Sequence, residues 1–387
     1  MKLKERFRRW KENVGWIQKD DILEFFRTTD KLMLLICVVI SAFSCLLMFS
    51  IYRAGFGSLR IVVMQSFCAA LGLFATLVLS TIDYKTIVKM WPIMVGVAVA
   101  LVLALKIPGL AYKPPGSDDW AWIRIAGFSF QPSEVLKLVF IYTFAYHLSK
   151  VKHKINFFST FVLLCVHGAV PTLLIMDTGD YGSALVFFAI FIVMMFAAGL
   201  SWKLIAIGLV GLGAAAPFVW KILPDYLKER FQVAWNPSLD MLGQGYQQYR
   251  GQVALGSGKL TGRGLFAEDL YNVPECYNDF IFSYIGQTLG FIGCMVTVFL
   301  LVVLMVKILF TAKKSKDDLG MLICCGVFAV IMFQTIINIG MVLCVFPVIG
   351  ITLPFISYGG TSLVISYLSI GMVLGVYRHN YYEMIFD

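Results

Sequence analysis

The chain has 387 residues, 59% of them hydrophobic and 14% charged, with a mean hydropathy of +0.81 and a formal net charge of +9. The apolar residues fall in long blocks with the charges gathered between them, which excludes a soluble globular protein and leaves no soluble basic domain to bind nucleic acid. The nine cysteines are odd in number and almost all lie in or beside apolar blocks, so neither a disulfide framework nor a zinc-ligand spacing is present.

Residues 1–30 are polar and basic, with Arg6, Arg8, Arg9 and Lys11 among Trp10, Trp16, Phe25 and Phe26. Two readings stay open: a short amphipathic helix on the cytoplasmic face of the bilayer, and a disordered basic tail. A cleaved signal peptide is not expected, because the first apolar block is long enough to span and follows a long leader. Residues 31–387 then read as one transmembrane domain. The fold class is an all-α polytopic membrane protein with ten spans of about 20 residues each. They are predicted near 32–52, 60–82, 88–108, 132–149, 157–176, 182–200, 202–222, 280–308, 320–343 and 355–377. The distribution of lysine and arginine places the N-terminus inside, and an even number of spans then makes both termini cytoplasmic. The longest loop, 223–279, lies between the seventh and eighth spans and faces outward.

Before the fourth span the chain reads Phe130-Gln131-Pro132-Ser133-Glu134, with Lys137 three residues on. Pro132 suits a helix start, and Glu134 and Lys137 share a helix face. They are either a structural ion pair lowering its own burial cost or the lining of an outward polar cavity. Trp120 and Trp122 are expected to anchor at the membrane interface, and Asp180 to cap the sixth span.

In the long loop, which also carries Gly245-Tyr246-Gln247 and Arg250, glycines alternate with Lys259 and Arg263 over Gly256–Gly264, a pattern that lets backbone N–H groups and cations approach a phosphate. The GxxxxGK[ST] spacing of a nucleotide loop is missing. The loop ends in Val273-Pro274-Glu275-Cys276-Tyr277-Asn278-Asp279-Phe280, directly before the eighth span. Asp279 at this mouth is either the helix N-cap or a functional carboxylate. Near the C-terminus, Asn338-Ile339-Gly340 and Leu353-Pro354-Phe355-Ile356-Ser357-Tyr358-Gly359-Gly360 place proline and glycine at membrane depth. That implies broken backbone lining a cavity.

Taken together, Phe130–Glu134 with Lys137, Gly245-Tyr246-Gln247, Pro274-Glu275 with Asp279–Phe282, and Asn338–Val342 through Ser357–Gly360 resemble the SEDS family (RodA, FtsW and SpoVE) over about residues 30–380. The resemblance implies a ten-helix peptidoglycan glycosyltransferase of the bacterial cytoplasmic membrane. Such an enzyme polymerises lipid II into glycan strands with inversion at the anomeric carbon and release of polyprenyl pyrophosphate, for elongation, division or sporulation. It implies a class B penicillin-binding transpeptidase as partner, and it places the family's essential acid on Asp279, here read as general base. Glu134, Lys137, Arg250, Lys259, Arg263, Glu275, Ser357 and Tyr358 become candidate substrate contacts, with the cations facing the leaving pyrophosphate. No metal motif is present, although Glu275 and its neighbours offer carboxylates to a divalent cation such as Mg or Mn. The chain departs from the family pattern at Ala121, at Arg250-Gly251, at Tyr277-Asn278 and at Gln287-Thr288. A lipid II flippase and a non-catalytic scaffold for the transpeptidase are the competing readings.

Overall fold

The computed structural model describes residues 27–113, 120–125, 128–223, 225–241, 243 and 245–386. Most of the basic N-terminal segment, the Pro114–Asp119 stretch and Gln244 therefore lie outside the described residues. The protein is mostly helical, and seven of its helices are long and apolar enough to cross a membrane.

The first is α1, Lys31–Arg53, capped by Asp30, whose Oδ1 accepts from the Met33 N–H at 3.0 Å. It is followed by α2, Leu59–Ser80. The predicted third span is not one helix. Tyr84–Lys89 (α3) and Trp91–Ala104 (α4) meet at Met90, because Pro92 has no N–H to continue the ladder and so opens a new helix. After α4 the prediction of an all-α chain also needs correcting. Three short strands, β1 (Ala111–Tyr112), β2 (Trp122–Ile125) and β3 (Phe128–Phe130), form an antiparallel sheet in the order β1-β2-β3. Arg124 lies over the Tyr112 ring at 4.8 Å, and the Trp120 N–H donates to the Thr178 carbonyl.

The helices α5 (Pro132–Val151), α6 (Phe158–Met176), α7 (Tyr181–Ala197) and α8 (Trp202–Ile222) follow. The predicted sixth span shortens to the 17 residues of α7, and α5, which holds Glu134, Lys137 and several other polar residues, is not among the seven apolar spans. The long 223–279 loop contains two helices, α9 (Asp225–Ala234) and α10 (Tyr246–Ser257). Three long helices close the chain: α11 (Ile281–Lys314), α12 (Asp318–Val342) and α13 (Gly360–Phe386).

The core forms around α12, which packs on α5, α7, α11 and α13. Helices α2 and α13 approach closely because small residues face bulky ones. A side chain on Gly72 would strike Tyr367, whose backbone carbonyl accepts from Thr76 Oγ1 at 2.6 Å. At the opposite extreme, α8 buries none of its apolar window, and Gly208, Gly211 and Gly213 have open space where a Cβ would stand.

Helix α11 is two helices joined at a break. Gly290 has φ 66 and ψ −165, a region essentially restricted to glycine. A broken helix frees carbonyls on one side and N–H groups on the other, and such groups must find partners away from water. The Gly258–Gly264 turn supplies them. Arg263 and Gly264 N–H groups donate to the Gln287 and Thr288 carbonyls, both at 2.9 Å, while Phe291 and Ile292 N–H groups donate to Lys259 and Leu260 carbonyls at 2.9 and 3.1 Å. A Cβ on Gly258 or Gly262 would fall 1.8 or 2.2 Å from the carbonyl oxygen of Gly286 or Thr288, so this approach excludes any side chain.

Candidate active site at the N-terminal end of α11

The residue that caps α11 is Phe280, with no side-chain capping bond. Asp279 is therefore not the helix cap that its position suggested, and its half-buried carboxylate is turned toward Gly350. A Cβ on Gly350 would lie 3.6 Å from Asp279 Oδ2, and Gly350 itself has φ +66. The turn carrying Asp279 is built locally. The N–H groups of Asn278 and Phe280 both donate to the Glu275 carbonyl, at 2.9 and 3.1 Å, which holds Glu275 at φ 55. The Glu275 carboxylate accepts from Asn278 Nδ2 at 2.5 Å.

The 343–359 segment then locks this turn from above. Ser357 Oγ donates to the Asn278 carbonyl at 2.7 Å, and the Tyr358 N–H donates to the Tyr277 carbonyl at 2.7 Å. Asn338, fully buried on α12, donates through Nδ2 to the carbonyls of Asp279 (2.9 Å) and Ile351 (2.7 Å). Two more buried amides repeat the device. Gln248 donates to the Met341 and Phe346 carbonyls, and Gln65 to Ser44 Oγ and the Ser357 carbonyl. Gly182, at the start of α7, comes so near the Ile349 carbonyl that a Cβ would stand 2.3 Å from it. Four non-glycine residues among those described have positive φ: Lys259, Glu275, Cys344 and Phe355, all in the loops that flank α11 and precede α13. Strained backbone of this kind persists where its surroundings over-determine it, and it gathers at functional sites.

Burial and the charge of Glu275 push the Tyr277 phenol up to about 12, and the same two causes push the Cys276 thiol up to about 12. Neither gives up its proton near neutrality, which leaves carboxylates as the bases available in this turn.

A second cluster sits on α5. Lys137 Nζ donates to Glu134 Oε1 at 2.7 Å, with side-chain exposures of only 3% and 8%. The pair lines a narrow cleft against Gln334 on α12 and Ser366 and Ser369 on α13. Gln334 and Asn338 are one helical turn apart, so a single wall of α12 runs from this cleft to the Asp279 carbonyl. Beside it, Asp180 caps α7 as expected, accepting from the Ser183 N–H at 2.8 Å and also from Gln131 Nε2 at 2.9 Å.

The predicted residues thus separate into three places. Asp279, Glu275, Ser357 and Tyr358 share the turn at the mouth of α11, and Glu134 with Lys137 line the cleft beneath. The third group is the loop cations. Arg250 is bound through Nε and Nη2 to the Asn272 carbonyl. Arg263 is paired with Asp269 and stacked on Tyr271, and Lys259 is exposed at the α11 break. Among the described residues no group of three or more His, Cys, Asp or Glu is placed to hold a metal ion. Glu275 and Asp279 supply two carboxylates, so a divalent cation here would take its remaining oxygens from a bound phosphate or water. Sequence reasoning missed Asn338, Gln248 and Gln65 as structural ties. Their signal was an amide inside or beside an apolar run, a residue that burial tolerates only when hydrogen-bonded.

A family model for FtsW, RodA and SpoVE, described as "Cell cycle protein", matches residues 25–382. The chain is 32% identical over 365 residues to a probable peptidoglycan glycosyltransferase FtsW of Geobacter metallireducens, covering 90% of this chain and 94% of that one. It is 28% identical over 354 residues to the peptidoglycan glycosyltransferase MrdB of Escherichia coli K12, with coverage of 90% and 94%. Two solved structures share the fold. One, from work on the coordination of polymerization and crosslinking by a peptidoglycan synthase complex, has a TM-score of 0.78 at 24% identity, covering 91% of this chain and 98% of that one. The other, Thermus thermophilus RodA, has a TM-score of 0.67 at 23% identity with the same coverage.

Proposed function

The chain belongs to the FtsW/RodA/SpoVE family, and from that premise we propose that it is a peptidoglycan glycosyltransferase that polymerises lipid II, with Asp279 as general base. It is a multi-pass protein of a bacterial membrane. In this reading the acceptor's 4-hydroxyl loses its proton to an Asp279 carboxylate oxygen while the hydroxyl oxygen bonds to the donor's anomeric carbon. The bond from that carbon to the pyrophosphate oxygen breaks on the opposite face, the electron pair leaves with polyprenyl pyrophosphate, and the centre inverts. A neutral hydroxyl is a poor nucleophile, and a placed base is worth roughly 10²–10⁴ in rate.

The observation that carries this reading is that Asp279 is held by its own main chain. Its carbonyl is bound by Asn338, and the turn beneath it by Ser357 and Tyr358. The base is preorganised while its carboxylate stays half-buried, within reach of a substrate. Lys137 and Arg250 are the cations assigned to the pyrophosphate, with Glu134 orienting Lys137, Glu275 shaping the turn, and Lys259 and Arg263 on the turn bonded to the α11 break. The topology proposed with this function has ten spans. The seven long apolar helices are joined by charged α5 and the shorter α4 and α7, with both termini cytoplasmic and the α8–α11 loop outside. A class B penicillin-binding transpeptidase is the proposed partner.

The deciding experiment supplies labelled lipid II to the purified protein, alone and with a candidate transpeptidase whose active serine is blocked. Glycan strands are expected from wild type and a loss of about 10²-fold or more from Asp279→Asn. Full polymerisation by a folded Asp279→Asn protein would remove the base assignment. Lipid II crossing vesicles without strand formation would replace the enzyme by a transporter.

A further inference from the structure

The two pieces of α11 differ in their surroundings. Ile281 to Thr288 is buried throughout, whereas the piece after Gly290 exposes Phe291, Ile292, Met295, Val296 and Phe299. Beside this exposed piece runs α1, antiparallel, in a register fixed at both ends. Asp30 pairs with Lys307 at 2.5 Å, and Ser50 Oγ meets Tyr284 OH at 2.7 Å. Counted from the Asp30–Lys307 pair, the Gly290 break stands about 25 Å along the axis, close to the far edge of a bilayer core of about 30 Å. The break therefore coincides with the outer boundary of the hydrocarbon in the proposed topology.

Between α1 and α11, directly below the break, lies a groove enclosing about 470 Å³. Its walls are Val39, Phe43, Leu289, Val296, Thr297 and Leu300, and Gly293 leaves its middle open. From Leu289 to Leu300 it extends about 16 Å, the depth of one leaflet. Its lining is almost wholly apolar, and the turn stitched into the break borders it at one residue. Thr261 lines it, and Lys259, two residues away, is exposed with φ 49. Arg263 on the same turn is committed to Asp269, whereas the Lys259 ammonium has no side-chain partner among the described residues.

We infer that this groove is a binding site for one outer-leaflet phospholipid with an anionic headgroup, its acyl chain between α1 and α11 and its phosphate at Lys259 and Thr261. A fluid lipid annulus would need none of these features. An apolar cleft one leaflet deep, with an exposed cation two residues from its Thr261 border, suits a chain with an anionic end. The site stands apart from the Asp279 turn, and its occupancy does not depend on the polymerase reading; the outer-leaflet assignment follows the proposed topology.

The test reconstitutes the full-length protein in vesicles of equimolar phosphatidylglycerol and phosphatidylcholine, extracts it in mild detergent, and counts retained lipids by native mass spectrometry. One phosphatidylglycerol per protein is expected. Val39→Trp with Val296→Trp, both at exposed positions, should abolish its retention. Lys259→Asn keeps a residue that tolerates positive φ, and it should lower the preference for phosphatidylglycerol over phosphatidylcholine by about five-fold. No retained lipid in wild type, retention unchanged in the tryptophan variant, or equal retention of the two lipids would each overturn the inference. The Lys259 arm remains readable even if the tryptophan variant fails to fold.

Discussion

At the scale of single residues, the region around the Asp279 turn is organised by amides that each serve two acceptors. Asn338 is the sharpest case, since both partners are backbone carbonyls and its own Oδ1 is buried without a hydrogen-bond partner. Asn338→Asp keeps the shape, removes both donors and sets a carboxylate against two carbonyls. If Asn338 positions the base, kcat for strand formation should fall by about 10²-fold, the scale of a 1 Å misplacement. KM for lipid II should move little, while the melting temperature should fall, because the new carboxylate is fully buried and faces only acceptors. An unchanged kcat per folded molecule, measured below the variant's melting temperature, would make the residue merely structural. The Glu134–Lys137 pair carries a different prediction. Lys137→Met strands a carboxylate with 8% exposure and should cost about 3–5 kcal/mol, whereas Lys137→Met with Glu134→Gln should recover much of that stability in denaturant titrations. This pair was readable from its three-residue spacing alone. Asp279 was located by the same reading, but its local role was not. Whether an aspartate caps a helix depends on where the first helical turn begins, and helix boundaries drift by a residue or two.

Among the elements, the long apolar helices were legible because a bilayer demands an uninterrupted run. The sequence concealed three things. Trp91-Pro92 divides the third span, and the proline was the available signal. The β1–β3 sheet is invisible to periodicity because its strands hold only two to four residues. The break at Gly290 lies inside a continuous apolar run, and its partner turn is a separate stretch of chain that hydropathy does not connect to it. Two glycine substitutions therefore separate elements that look alike in sequence. Gly290→Ala forces a side chain into φ 66 and within 2.4 Å of the Gly262 nitrogen, so it should destabilise by about 1–3 kcal/mol for the backbone alone. Gly211→Ala, on α8 in open space, should be neutral or stabilising by up to about 1 kcal/mol. Thermal unfolding of both variants in one detergent checks the contrast.

Across the whole molecule, the face opposite the Asp279 turn is held by charge. Lys85 pairs with Asp317 at 2.8 Å, and Tyr84 OH donates to the same carboxylate at 2.6 Å. Lys152 pairs with Asp318, and Arg378 donates to Thr28 Oγ1 and the Ser80 carbonyl. Partial burial acts to raise the Asp317 carboxyl, but bonds from Lys85, Tyr84 and the Gly320 N–H outweigh it and leave it below its ordinary 3.8. Because the native value is the lower one, this carboxylate contributes stability above 3.8 that is lost as pH falls through its native value. Wild type should thus melt above Asp317→Asn by a constant margin at neutral and mildly acidic pH, and the margin should shrink once pH drops below 3.8. A margin that instead narrows on the alkaline side would refute the assignment.

The stitch across the α11 break also sets an order of assembly. Its donors and acceptors come from residues 259–264 and 287–292, near neighbours in the chain. They can close as soon as α11 has left the ribosome and entered the bilayer. The ties on Asp279 span far more chain: Asn338 reaches back 59 residues, Ser357 reaches back 79, and Ser44 waits for Ile356, 312 residues later. Closing long loops comes late. A nascent chain ending after α11 should therefore already protect the Gly258–Gly264 turn from protease, while the Asp279 turn stays open to cleavage until α13 is made. The Asp279 turn would then be the last part of the protein to form, so an incomplete chain holds a membrane helix without the ties that fix this turn.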